Sequence, residues 1–231
     1  MIGIIGAIDK ELLLFFQEMT IEKTEIFGDK TFYIGTLKGH KVCIAKSGIG
    51  KVNAAITATT MILNYNIRMI LNTGVAGGLN PVKTGDIILA EGISYFDVSL
   101  TDIDDIPYGK MGDDPLIVKI DEFLLEKGKE ICVKLGYKCL VGNLVSGDKF
   151  LTRKKELRKI MRNVDNILGV EMEGMAIALT AHKFNIPFIS IRGISDVLDT
   201  VKQSKIYKDI SQEVADKTTH FVFQFLEGLN E

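Results

Sequence analysis

Six short runs constrain this chain more than any other feature: Met1–Ala7, Met69–Asn72, Asp86–Ala90, Cys139–Val145, Ile167–Glu171 and Pro187–Ile194. Each is too short for a stable helix and mostly apolar, often β-branched, which is how strands buried on both faces read. Amphipathic stretches fall between them. Lys10–Met19 sets Leu12, Leu13, Phe15 and Phe16 inward, and Asp209–Leu226 does so with Val214, Thr218, Phe221, Val222 and Phe225. The helix opened by Ser47-Gly48-Ile49-Gly50 carries Val52, Ala55, Ile56, Thr59 and Leu63 on one largely apolar face. Pro115 predicts a further helix start, with Leu116, Ile120, Phe123, Leu124, Ile131 and Leu135 inward and Gly136 as its stop. Thr152–Arg162 reads as a charged helix, Ala176–Phe184 as a short one, and Thr31–Leu37 with Lys41–Ala45 as a hairpin. The acidic stretch Asp97–Asp114, broken by Pro107, Gly109 and Gly112, reads as a long loop. Alternation of strands and helices predicts an α/β fold, a largely parallel twisted sheet covered by helices. With 231 residues and no repeat or linker, one domain over 1–231 is expected.

Charge and cysteine usage narrow the partners. A net charge of −2 gives no basic field to draw in nucleic acid or an anionic membrane. Met1–Ile8 lacks a basic leader and meets Asp9-Lys10-Glu11 at once, and no later run approaches a membrane span, so a cytoplasmic protein is expected. Cys43, Cys132 and Cys139 are widely spaced in or near apolar runs, which predicts buried free thiols rather than a disulfide framework or zinc site. Asp102-Ile103-Asp104-Asp105 begins like a calcium loop. Pro107 then stands at the obligatory glycine and Asp113 at the bidentate glutamate, so a solvated loop is expected, with no metal or cofactor.

Two glycine segments invite a ligand. Ser47-Gly48-Ile49-Gly50-Lys51 fails as a phosphate loop, because Ala45 replaces its first glycine and Val52 its magnesium-binding hydroxyl. It remains a glycine turn before a helix, able to present backbone N–H groups. Gly74-Val75-Ala76-Gly77-Gly78 lacks dinucleotide spacing, and its glycines allow close approach of either a ligand or the chain itself.

Acidic residues carry the chemistry. In Val170-Glu171-Met172-Glu173 the two glutamates sit two residues apart at a strand end, where like charges must be separated, paired or protonated. Glu11 follows the first strand and Asp196 the last. Each also has a structural reading, Glu11 in the first turn of a helix and Asp196 (or Ser195) as a helix cap. Together, Glu11, Glu173 and Asp196 would gather on one rim of a parallel sheet. Three acids suit a reaction that stabilises a developing cation and protonates a leaving group.

Six segments occur in order: Ile2-Gly3-Ile4-Ile5-Gly6-Ala7, Ser47-Gly48-Ile49-Gly50-Lys51-Val52, Asn72 through Gly78, Val145-Ser146-Gly147-Asp148-Lys149-Phe150, Val170-Glu171-Met172-Glu173 and Arg192-Gly193-Ile194-Ser195-Asp196. On these the chain resembles, end to end, the 5′-methylthioadenosine/S-adenosylhomocysteine nucleosidases of the purine nucleoside phosphorylase superfamily. The resemblance implies a mixed, twisted central sheet surrounded by helices and a homodimer with active sites near the interface. It also implies hydrolysis of the bond between adenine and a 5′-thio-substituted ribose, in methionine salvage and methyl-cycle detoxification. Carried over, Asp196 would protonate adenine N7, Glu11 would activate water, and Glu173 would hold the ribose hydroxyls beside Met172. Phe150 would stack on the base and Leu151 would offer its backbone to the base edge. Ser195 would support Asp196 and Arg192 the water site, with Ile49 and Val75 at the substrate. Val75 replaces a serine common in the family. Leu100 and Ile103 would serve the partner's 5′-substituent pocket, where Asp104 and Asp105 are unusual neighbours for a thioether. Glu171 is left with a structural role. A phosphorylase would need arginine for phosphate, and of five arginines none precedes Arg68. A hydrolase for a bulkier 5′-substituted adenosine such as aminodeoxyfutalosine, and a non-catalytic nucleoside-binding protein, are the other readings.

Overall fold

The first apolar run forms the centre of the sheet. In the computed structural model, which describes residues 1–229, β1 (Ile2–Gly6) is buried at all five positions. It pairs parallel with β4 (His40–Lys46) on one side and β5 (Met69–Gly78) on the other. Beyond β4, β3 (Lys30–Leu37) and β2 (Thr20–Phe27) run antiparallel to an edge. Beyond β5 the sheet curls. β5 pairs parallel with β10 (Phe188–Val197), and β10 pairs antiparallel with β6 (Ile87–Tyr95). β6 then pairs parallel with β8 (Cys139–Ser146), and β8 with β9 (Ile167–Glu171). β9 returns antiparallel to the end of β5, so these five strands close into a ring. A two-residue strand, β7 (Val118–Lys119), borders β6.

The sheet is therefore mixed, as the resemblance implied, rather than largely parallel. Apolar runs identify strands but not their direction, because direction depends on the path of each connection. The sequence also hid β2, whose Thr-Ile-Glu-Lys-Thr-Glu-Ile-Phe is almost wholly exposed at the edge. Such an edge needs no apolar face.

Five helices flank the sheet: α1 (Asp9–Glu18), α2 (Lys51–Asn64), α3 (Glu122–Leu135), α4 (Gly174–Lys183) and α5 (Gln203–Gly228). α2 packs on α4, while α1 and α3 flank α5, which lies on β10 and β5. On α5 the expected residues Val214, Thr218, Phe221, Val222 and Phe225 are all buried. The expected face of α2 is turned outward instead: Val52 is 70 % exposed, Ile56 49 % and Leu63 67 %. Its buried residues are Ala54, Thr57, Ala58 and Met61. Small side chains let α2 approach α4, itself lined by Gly174, Ala176, Ala178 and Ala181, more closely than the larger residues allow.

Three further expectations are corrected. The helix predicted from Pro115 begins at Glu122, because Asp121 caps it by accepting the Leu124 N–H and Val118–Lys119 is extended; Phe123 is left exposed. Thr152–Arg162 is not one helix but two short 3₁₀ turns, Lys154–Leu157 and Ile160–Arg162. Cys132 and Cys139 form a disulfide, with Cα atoms 6.0 Å apart. Gly136, left-handed at the end of α3, reverses the chain and brings the start of β8 back to the last helical turn. Cys43 alone is a buried free thiol, pushed up to about 12 by burial. Among the described residues no helix is long and apolar enough to cross a membrane.

Candidate active site

Glu11 sits in the first turn of α1, but its carboxylate turns back toward the sheet. Oε2 accepts the N–H groups of Ala7 (2.7 Å) and Ile8 (3.2 Å), and Oε1 accepts that of Val75 on β5 (2.9 Å). β1, α1 and β5 thus share one acid. Gly74 (φ +149°) makes this possible, since a Cβ there would collide with the Glu11 carboxylate and the Arg192 guanidinium. The close approach expected of this glycine segment is by the protein's own side chains.

Glu173 lies just beyond β9, at the N-cap of α4. Its Oε1 accepts the Gly50 N–H at 2.8 Å, so the glycine turn before α2 presents its backbone to an acid. Gly50 takes φ +96°, open to glycine at little cost. Burial, and then the Glu171 charge, push Glu173 up to about 7.

Asp196 belongs to β10 rather than to a helix cap. The pairing of β10 with β5 shifts between Ile194 and Asp196, leaving Ser195 as the extra residue of a bulge. Ser195 donates to Asp196 Oδ1 at 2.6 Å, and Gln203 Nε2 donates to Oδ2 at 2.6 Å. Burial raises the Asp196 carboxyl above its ordinary range, against the opposing effect of those two hydrogen bonds.

Glu171 and Glu173, expected on one strand face, have different surroundings. Glu171 Oε2 accepts from Arg192 Nη2 (2.6 Å) and from the N–H groups of Glu173 (3.0 Å) and Gly174 (2.6 Å), while Oε1 accepts from Ser146 Oγ. Arg192 also donates to Asn72 Oδ1 at 2.6 Å. Side-chain exposure is 1 % for Arg192 and 2 % for Glu171, so this is a buried ion pair.

All three candidate acids line one cavity of about 90 Å³, together with Glu171, Ile49, Val75, Met172, Phe150, Ser195 and Tyr207. Phe150 is 45 % exposed and packs edge-on against Tyr207, their ring centroids 5.6 Å apart. Leu151 and Arg192 lie behind the cavity wall, and no lysine or arginine lines it among the described residues. Leu100 and Ile103 lie in the Asp97–Asp114 loop, away from this cavity. Ile103 is 76 % exposed. A wider opening of about 500 Å³ beneath that loop has exposed Asp104 and Asp105 but no buried carboxylate. Among the described residues no cluster of three or more His, Cys, Asp or Glu is placed to hold a metal ion.

Sequence reasoning missed Gln203, Tyr207 and Ser146. The first two lie on the opening turns of α5, which begins six residues before the expected Asp209 because Lys202–Lys208 is mostly polar. Only contact with Asp196 and Phe150 gives them meaning. Ser146 ends an apolar strand and carries no signal of its own.

The chain matches the Phosphorylase superfamily over residues 1–227. It is 35 % identical, over all of its length and 98 % of the relative's, to a 5′-methylthioadenosine/S-adenosylhomocysteine nucleosidase of Desulfotalea psychrophila. Among solved structures it is similar to the S-adenosylhomocysteine nucleosidase of Streptococcus pyogenes in complex with 5-methylthiotubericidin. That match has a TM-score of 0.92 and 30 % identity, covering 99 % of this chain and 96 % of the other. Futalosine hydrolase of Helicobacter pylori superposes with a TM-score of 0.90 at 26 % identity, covering 98 % of this chain and 97 % of the other.

Proposed function

The chain belongs to the phosphorylase superfamily, among its 5′-methylthioadenosine/S-adenosylhomocysteine nucleosidases, and from this premise we propose that it hydrolyses the N-glycosidic bond of those two nucleosides. One observation carries the reading: four buried carboxyl groups, Glu11, Glu171, Glu173 and Asp196, line a single cavity, and of these Glu171 is taken up by Arg192. Asp196, whose carboxyl burial raises above its ordinary range, gives its proton to adenine N7 as the bond from N9 to the ribose carbon breaks. Adenine leaves neutral, and positive charge develops on the sugar. Glu173 binds the ribose hydroxyls and, when ionised, stabilises that charge most strongly in the transition state. Glu11 takes a proton from water as its oxygen bonds to the ribose carbon. Its three backbone donors hold the carboxylate in position for this. Phe150 offers an accessible ring for the base to stack on.

Hydrolysis is favoured over phosphorolysis because, among the described residues, no cationic side chain lines the cavity and Arg192 is engaged by Glu171. The reading places the reaction in methionine salvage. A second copy of the chain would cover the exposed Val52, Ile56 and Leu63 of α2, with Leu100 and Ile103 reaching the partner's site. Sedimentation tests that dimer, and a monomer at working concentration removes it.

Methylthioadenosine incubated with the protein in phosphate-free buffer should yield free adenine. No release overturns the reading, and release only with phosphate replaces it with phosphorolysis. Likeness to a futalosine hydrolase and the acidic Asp97–Asp114 loop favour one second reading, a bulkier 5′-substituent. Rates on aminodeoxyfutalosine in the same assay decide between them.

A further inference from the structure

Gln203 opens α5 and is 4 % exposed. Its Nε2 donates to Asp196 Oδ2 at 2.6 Å and to the Leu151 carbonyl at 3.0 Å. One NH₂ group therefore bridges a carboxyl and a main-chain carbonyl. The resemblance implies that both groups meet the base, Asp196 at N7 and the Leu151 backbone at the base edge. An exocyclic amino group on a purine has the same two N–H donors in the same planar geometry.

Three further observations bear on this contact. Gln203 Oε1 is buried with no hydrogen-bond partner, so the side chain is only half satisfied where it lies. The cavity holding the acids is about 90 Å³, well below the roughly 300–1,000 Å³ of small-molecule sites. Gln203 also borders an open cavity of about 360 Å³, lined by Thr152, Arg153 and Asp199 among others. The turn carrying Gln203 inward has Asp199 at φ 65° and Lys202 at φ 61°, left-handed conformations that Lys in particular disfavours.

We propose that Gln203 is the gate of the base site: its carboxamide occupies the place of a 6-aminopurine's amino edge, and the base binds only as Gln203 withdraws. This rests on the nucleosidase reading and adds to it a residue that competes with substrate and product for Asp196 and Leu151. If the binding-competent form is a fraction of the whole, the apparent dissociation constant is the intrinsic one divided by that fraction. Removing the gate then tightens binding without adding a contact. It also strips a hydrogen bond from ionised Asp196, so the acid keeps its proton to higher pH.

Gln203→Ala should lower KM for methylthioadenosine and the inhibition constant of adenine by the same factor, about threefold or more. The change should fall on KM rather than kcat, and the alkaline limb of kcat/KM should move to higher pH. Gln203→Asn, one methylene too short to bridge both oxygens, provides the same reading if the alanine variant folds poorly. Wild-type protein that neither binds nor releases adenine overturns the nucleosidase reading itself. Wild-type protein that does both, with KM and the adenine constant unchanged or raised in these variants, overturns the gate alone.

Discussion

Glu171→Gln removes one charge and almost no volume from a site that excludes water. A Gln oxygen at the Oε2 position still accepts the Glu173 and Gly174 N–H groups. Its NH₂ can donate to Ser146 Oγ, which goes on accepting the Met175 N–H. Hydrogen bonding is nearly conserved, and the loss is the charge 2.6 Å from Arg192 Nη2. Arg192 then keeps only neutral acceptors, the new amide oxygen, Asn72 Oδ1 at 2.6 Å and the Val75 carbonyl at 3.5 Å. Removing one member of a buried pair costs about 3–5 kcal/mol, because the other is left charged and dry. In a domain of this size each kcal/mol shifts Tm by about 2–4 °C, so melting should fall by roughly 6–20 °C. Calorimetry at pH 7.5 measures it. Removing both partners as Glu171→Gln with Arg192→Met should restore part of the loss, since no lone charge remains. The single variant should also lower the Glu173 pKa, because the Glu171 charge is one of the causes holding it up. A single variant melting within about 2 °C of wild type would refute the assignment of Glu171 to the scaffold.

Asp196→Asn should reduce kcat by about 10²–10⁴, the usual contribution of a positioned general acid. Its Tm should not fall, because the amide resembles the protonated acid that burial favours; kcat within tenfold of wild type sinks the role. Glu173 titrates in the folded protein at about 7 against an ordinary 4.5. Folded protein therefore holds that proton longer than unfolded chain, and the sign of linkage makes stability fall as pH rises through this window. The full loss, on the order of 3 kcal/mol, is reached above pH 7. Glu173→Gln should flatten this dependence and melt above wild type at pH 8. Parallel melting profiles for the two proteins would contradict it.

The sites of the strands were legible from apolar run length, and β9 matches its expected bounds, Ile167–Glu171. The inward face of α5 was legible because its large apolar residues are the ones buried. The face of α2 was not, because large residues there point outward and small ones face α4. Apolar periodicity locates an apolar face without saying what covers it. Glu11, Glu173 and Asp196 were each visible as acids next to strand ends; the parallel strands β1, β5 and β10 bring Glu11 and Asp196 to one rim, while Glu173 follows β9, antiparallel to β5. The ring of β5, β10, β6, β8 and β9 brings Glu173 to that rim as well.

Residue type and local order thus determined by themselves that this is a strand–helix protein, which acids stand next to strands, and that the net charge is −2. Those properties follow from short-range sterics and from charge, and need no knowledge of neighbours. Only the tertiary structure decided that, of two glutamates lining the cavity, Glu171 pairs with Arg192 while Glu173, two residues on, accepts the Gly50 N–H. It alone joined Cys132 to Cys139 and seated Gln203 between Asp196 and Leu151. Each depends on contact between elements distant in the chain or on a local reversal. Burial across such contacts raises the Glu173 and Asp196 carboxyls above their ordinary range.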